Sequence, residues 1–184
     1  MRSAVSALEH VVEGDVRSAI RVIAYGDLQC GDCAAYRSML DEKLLPKYGA
    51  SVAFEHRDFP LPKHPLAHAA AVAARYFNTV NAETGIAFQR YCFNKLASIT
   101  VQAFEVKLRE FAFDHRIDPA SAVAALTDAK LAATVEDDHR EGIALGVTRT
   151  PTVFVNGDAY VETFSFREIS NAIDAALSAT EKSK

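Results

Sequence analysis

Two thiols separated by two residues, Cys30-Gly31-Asp32-Cys33, are the part of this chain best suited to chemistry. Cysteines three apart at the start of a helix can close a small disulfide with little backbone movement. The first lies beside unpaired N–H groups and the positive end of the helix dipole, and both favour thiolate. The second lies one turn in, more buried, and is placed to resolve a mixed disulfide made by the first. The same spacing admits half a zinc site, or no role at all. Zinc needs four ligands. There is no second cysteine pair, so the others would have to come from His64 and His68, whose alternative is a structural or solvated role. The third cysteine, Cys92, sits in Phe88-Gln89-Arg90-Tyr91-Cys92-Phe93, an apolar helical setting where a free Cys packs as a small hydrophobe.

The elements around the dithiol follow from patterning. Arg21-Val22-Ile23-Ala24-Tyr25 reads as a buried strand ended by Gly26-Asp27. Cys33, Tyr36, Leu40 and Leu44 recur at helical spacing, which predicts a helix over residues 30–47 with Pro46 and Gly49 at its end. Residues 52–56 predict a second strand, parallel to the first across that helix. Three prolines in residues 59–65 exclude regular structure there. Residues 67–133 hold 18 of the 32 alanines and show no strand pattern, so they predict a block of helices. Asp118-Pro119 marks a helix start. Leu131, Val135, Ile143 and Leu145 suggest a further helix leading to Gly146, and Glu136-Asp137-Asp138 reads as its solvated face. Residues 152–155, Asn156-Gly157 and residues 159–161 predict a hairpin. Ser165-Phe166-Arg167-Glu168 is a capping box opening a last helix with Phe166, Ile169, Ile173 and Leu177 on one face.

Composition narrows the function classes. The 184 residues suit one domain with an insertion. A net charge of −4 is mild and of the wrong sign for non-specific nucleic-acid binding. No uninterrupted apolar run approaches a membrane span. Three cysteines are too few for a disulfide-built scaffold. Residues 1–10 hold one Arg and no apolar core of a signal peptide. The expectation is a cytoplasmic protein if Met1 is the native start, or an exported one if a signal has been removed.

The chain resembles the DsbA-like thiol–disulfide oxidoreductases, in the branch that carries a helical domain inserted in a thioredoxin fold. Gly26-Asp27-Leu28-Gln29-Cys30-Gly31-Asp32-Cys33 resembles the active-site segment of that family. Phe59-Pro60-Leu61, His64-Pro65 and the alanine run resemble the entry to the insertion. Gly146-Val147-Thr148-Arg149-Thr150-Pro151-Thr152 resembles the cis-proline loop, and Val153-Phe154-Val155-Asn156-Gly157 the strand and turn behind it. Without the resemblance, Thr150-Pro151 would read as an ordinary trans proline opening a strand. The likeness runs from about residue 10 to 178. It implies an α/β thioredoxin-like domain (βαβ…ββα) of residues 10–61 and 147–180 and an all-α insertion of residues 62–146. It also implies disulfide exchange with protein thiols and a redox partner, no metal, no cofactor, and an extracytoplasmic place; a monomer is expected.

Carried onto this sequence, the resemblance makes Cys30 the nucleophile, Cys33 the resolving thiol and Gly31-Asp32 the intervening loop. Thr150 would offer backbone groups to an extended substrate, Pro151 would pack against the sulfurs, and Arg149 would be a cation near thiolate or substrate, or else solvated. Two departures matter. The family's intervening pair usually contains Pro, often with His or an aromatic residue, whereas Asp32 adds a negative charge that should make Cys30 less acidic and the protein a weaker oxidant than typical relatives. Many relatives also carry a buried acid where this chain has Ala24; Asp27 or Asp32 are the candidates to replace it. The alternatives are a glutathione-linked isomerase or transferase on the same scaffold, and a non-catalytic thioredoxin-like binding module.

Overall fold

The computed structural model describes residues 10–181. Its strands are β1 (Val12–Gly14), β2 (Arg21–Gly26), β3 (Ala53–Asp58), β4 (Thr152–Val155) and β5 (Asp158–Val161). They form one mixed sheet in the order β1-β3-β2-β4-β5. β2 and β3 are parallel, with Val22 opposite Phe54 and Ala24 opposite His56. The other neighbours are antiparallel. The predicted parallel unit and hairpin are both present. Asn156 and Gly157 take φ of 51° and 95°, the left-handed backbone a tight hairpin turn requires. β1 is an addition: three residues at a sheet edge leave too short a pattern to read.

The predicted helix over residues 30–47 is not one regular helix. It comprises α1 (Gly31–Met39), a wide π turn over Leu40–Leu44, and α2 (Leu45–Tyr48). Pro46 supplies no N–H and its ring crowds the carbonyl one turn back, so the backbone widens there; the helical stretch still ends at Tyr48, with Gly49 at its C-cap as expected. Leu40 and Leu44 stay buried across the turn.

The alanine-rich stretch folds as α3 (Ala67–Val80), α4 (Ala82–Asn94), α5 (Phe104–Asp114), α6 (Pro119–Ala124) and α7 (Ala129–Ala144), and α8 (Phe166–Glu181) closes the chain. Asp118 caps α6 by accepting from the N–H groups of Ala120 and Ser121. Ser165 and Glu168 exchange the two bonds of the capping box. Among the described residues no helix is long and apolar enough to cross a membrane.

Two main cores result. One lies between the sheet and the helices α1, α2 and α8, and includes Val22, Ala24, Tyr36, Leu40, Phe54, Val153, Ile169 and Ile173. The other lies inside the helical block, where Ala70, Ala73 and Ala74 of α3 let Phe77, Phe88 and Phe111 meet at ring separations of 4.8 to 5.0 Å. Leu28, from the loop before the dithiol, is buried in this second core and anchors the active-site loop to the insertion.

The expected helix leading to Gly146 is α7, and Glu136 and Asp137 are on its solvated face, but its buried face differs from the one the sequence suggests. Ile143 and Leu145 are exposed, while Asp138 of the acidic run is buried. The face turned inward carries Leu131, Val135, Asp138 and Gly142, spaced four, three and four apart. Asp138 is satisfied there by Arg75 of α3, which also pairs with Asp58 of β3, and by His10.

Candidate active site

Cys30 occupies the N-cap of α1 and Cys33 the third residue of that helix. Ahead of them, Asp27-Leu28-Gln29 is held rigidly. The Asp27 carboxylate is buried and accepts from the backbone N–H groups of Gln29 and Leu61, and it bonds His64 Nδ1 at 2.8 Å. The backbone N–H of Asp27 donates to Cys33 Sγ at 3.4 Å. Asp27 thus knots the dithiol loop to the proline-rich segment, a role that only the folded contact reveals. Its oxygens are engaged by two backbone N–H groups and the His64 ring.

The loop before β4 completes the site. The Thr150–Pro151 peptide is cis. Cys30 Sγ donates to the Thr150 carbonyl at 3.3 Å. Thr150 Oγ1 is buried without a hydrogen-bond partner in this dithiol form, so it is available to whichever sulfur carries charge. Cys30, Asp32, Lys63, Thr148, Arg149 and Thr150 border an open groove of about 510 Å³. Pro151 lines a smaller cavity on the other side of Cys33.

The two thiols are made unequal by their surroundings. The Cys33 thiol donates to Cys30 and lowers it; burial opposes this, and the Thr150 side chain and the backbone N–H groups of Cys33 and Asp32 add to the lowering, leaving Cys30 at about 6. Burial pushes Cys33 well above the ordinary thiol range, and the proximity of Cys30 pushes it further. The Asp32 carboxylate is not among the leading influences on Cys30; its backbone N–H is, and that acts in the opposite sense to the predicted charge effect. A value near 6 is above the strongly depressed thiols of about 3.5, and the expected raising of Cys30 by the Asp32 charge is not among its causes.

Of the other predicted residues, Arg149 stays on the groove wall while His68 and Cys92 lie elsewhere. Arg149 is exposed, and its guanidinium pairs with Glu162 at 2.9 Å. His68 pairs with Glu136 at 3.1 Å on the surface. With His64 on Asp27 and His68 on Glu136, the four residues of the zinc reading are not gathered; among the described residues no group of three or more His, Cys, Asp or Glu could hold a metal ion. Cys92 is buried in the helical core. His56, which sequence reasoning passed over, lies close to the dithiol. Gly26 separates them: a Cβ at that position would lie 3.1 Å from His56 Cε1 and 3.8 Å from Cys33 Sγ. The signal was present in the alternation Phe54, His56, Asp58, which puts a histidine on the inward face of β3.

Comparison with known proteins agrees with this architecture. The chain superimposes on the crystal structure of alpha-DsbA1 from Wolbachia pipientis with a TM-score of 0.79 at 21% identity, covering 91% of this chain and 90% of the other. For BdbD from Bacillus subtilis in its oxidised form the TM-score is 0.82 at 20% identity, covering 92% and 93%. For a thioredoxin-like oxidoreductase from Silicibacter pomeroyi it is 0.75 at 17% identity, covering 96% and 99%. Among curated proteins it is 22% identical over 170 residues to a Na(+)/H(+) antiporter NhaA 1 of Mycobacterium sp. strain KMS. That match takes in 89% of this chain but spans about a quarter, 26%, of the antiporter's length. The sequence model of the family Thioredoxin_4, described as Thioredoxin, matches residues 6–175. With nearly the whole chain matched and the DsbA-like form of the fold in place, the protein belongs to this thioredoxin family.

Proposed function

We propose that the protein is a thiol–disulfide oxidoreductase that exchanges disulfides with protein thiols through Cys30 and Cys33. The observation that carries the reading is the inequality of the two thiols. Cys30, at the helix start and on the open groove, is brought to about 6, while Cys33 is buried behind it and pushed up. A nucleophile that is thiolate at neutral pH attacks a substrate sulfur; the protected thiol then displaces the substrate from the mixed disulfide. An inert structural dithiol has no need of that asymmetry.

In this reading residues 10–61 and 147–180 form the catalytic domain and residues 62–146 the helical insertion. The groove takes an extended substrate segment alongside Thr150, whose backbone supplies strand-like hydrogen bonds. Pro151 closes the inner side of the dithiol without a competing N–H. Arg149, with Glu162 and Lys63, gives the groove wall its charge.

Replacing Cys33 with Ser tests this directly. The variant should accumulate mixed disulfides with thiol proteins, visible as reductant-sensitive adducts, and absence of any adduct overturns the reading. The reduction potential of the pair then gives the direction. A value near −120 to −180 mV marks an oxidase or isomerase, and one near −270 mV a reductase.

A further inference from the structure

A cavity of about 30 Å³ lies beneath the dithiol, bounded by Cys33 of α1, Ala24 and Gly26 of β2, and His56 of β3. Ala24 and His56 are register partners on adjacent parallel strands, so their side chains project to the same face. The small Ala24 leaves the space open. The missing side chain of Gly26 lets the Cε1–Nδ1 edge of His56 approach Cys33. His56 Nδ1 and Cys33 Sγ lie 3.7 and 3.8 Å from the same point, the position a Gly26 Cβ would take. The cavity beside them has room for one water.

The other edge of the ring completes the arrangement. His56 Nε2 is buried and makes no hydrogen bond. Asp58 Oδ1 lies 3.4 Å from it. Burial alone would raise Asp58, but Arg75 and His56 hold it well below the usual carboxylate range, so it is a carboxylate at neutral pH. A carboxylate there faces the Nε2 edge, and the Nδ1 edge of the ring lies on the dithiol side.

The remaining charges around the ring are committed. From α1 and β1, Arg37 pairs with Glu13. From α3, Arg75 pairs with Asp58. Glu55 is held by Arg21, Arg57 and His10. Ala24 and Gly26 of β2 bring no titratable group, burial pushes the Tyr25 and Tyr36 phenols up so that they stay protonated, and from α4 Gln89 is uncharged. His56 is therefore the group in the cavity with spare proton capacity.

We propose that His56 is the proton carrier for Cys33, exchanging its proton through the cavity as the mixed disulfide is resolved. This rests on the function proposed above. When the dithiol reduces a substrate, the proton on Cys33 passes to His56. Cys33 thiolate then attacks the Cys30 sulfur; the Cys30–Cys33 bond forms and the Cys30–substrate bond breaks. The two electrons leave with the substrate thiolate, and His56 returns its proton to solvent. In the opposite direction a substrate thiolate attacks Cys30, and protonated His56 delivers its proton to the departing Cys33. A base is needed here because Cys33, buried and raised, carries little thiolate of its own.

The test is the reaction of the reduced full chain with 5,5′-dithiobis(2-nitrobenzoate). Attack by Cys30 releases one chromophore in a bimolecular phase; resolution by Cys33 releases a second in a unimolecular phase. In His56→Gln the first phase should keep its rate, while the second slows by about a hundredfold or more at pH 7, the lower end of what a positioned base supplies. The second phase should also become steeper with pH, because hydroxide replaces the internal base. An unchanged second phase overturns the inference, as does an equal slowing of both phases, which marks a structural role. Failure of the first phase in the unmodified protein overturns the proposed function itself. Should His56→Gln not fold, the His56 Cε1–H signal of the native sequence is followed by NMR against Cys33→Ala. A shifted titration midpoint supports coupling through the cavity, and an unshifted one overturns it.

Discussion

Cys33 and Cys92 are equally buried, at 3% and 2% exposed, and burial pushes both thiols up. Their neighbourhoods differ in kind. Cys92 is packed among Phe88, Phe77 and the other apolar residues of the helical block, and desolvation alone sets its acidity. Cys33 receives an N–H from Asp27, adjoins a second sulfur, and opens on a cavity with a histidine across it. Burial makes a thiol inert only where nothing polar is buried with it. The helical block supplies stability; the strand–helix junction supplies chemistry.

The sharpest way to break that division is to exchange the roles by mutation. Cys30→Ser should abolish reduction of insulin disulfides, whereas Cys92→Ala should leave its rate unchanged; loss of activity in the second variant would make the helical core part of the chemistry. Phe88→Ala removes a ring from the block and should cost about 3–5 kcal/mol of unfolding free energy. The same variant should leave the alkylation midpoint of Cys30 where it was, which urea titration and iodoacetamide kinetics check together.

A third experiment reads the acidity itself. Alkylation of the folded, reduced protein should follow a midpoint of about 6 and modify Cys30 alone, with Cys33 and Cys92 protected until the chain unfolds. The sign for stability follows. Cys30 is more acidic folded than unfolded, so its contribution to the dithiol form is complete above the ordinary thiol value of about 9 and lost as pH falls through about 6. Thermal melts of the reduced protein across that window should show the decline, and those of Cys30→Ser should not. The smallest expected effect belongs to Asp32→Asn. Removing an exposed charge beside Cys30 should lower its midpoint by less than about 0.5 unit, in keeping with the small worth of exposed charge pairs; a shift larger than that would restore Asp32 as the main control on Cys30.

What the sequence made legible was local. Cys30-Gly31-Asp32-Cys33, the Asn156-Gly157 turn and the Ser165–Glu168 box each carry their physics within a few residues, and each is where it was expected. What it hid was made by contact between distant segments. Asp27 and Leu61 are 34 residues apart, His56 reaches Cys33 across a glycine of another strand, and Asp138 turns inward because Arg75 waits 63 residues earlier. Pro46 and Gly49 marked the end of the helical stretch correctly, but not the π turn over Leu40–Leu44 that precedes it.

Arg75 has a consequence beyond neutralising two carboxylates. It leaves α3 to grip β3 at Asp58 and α7 at Asp138, and all three side chains are buried. Melting the helical block alone would take the guanidinium from Asp58 at the sheet, and melting the sheet alone would take Asp58 from Arg75, leaving that buried guanidinium with Asp138. Partial opening is therefore disfavoured from both sides, and the two cores should lose amide-exchange protection together, as one cooperative unit. The insertion is then no detachable lid over the dithiol: the chain crosses between its two layers by sequence, but it folds across them by charge.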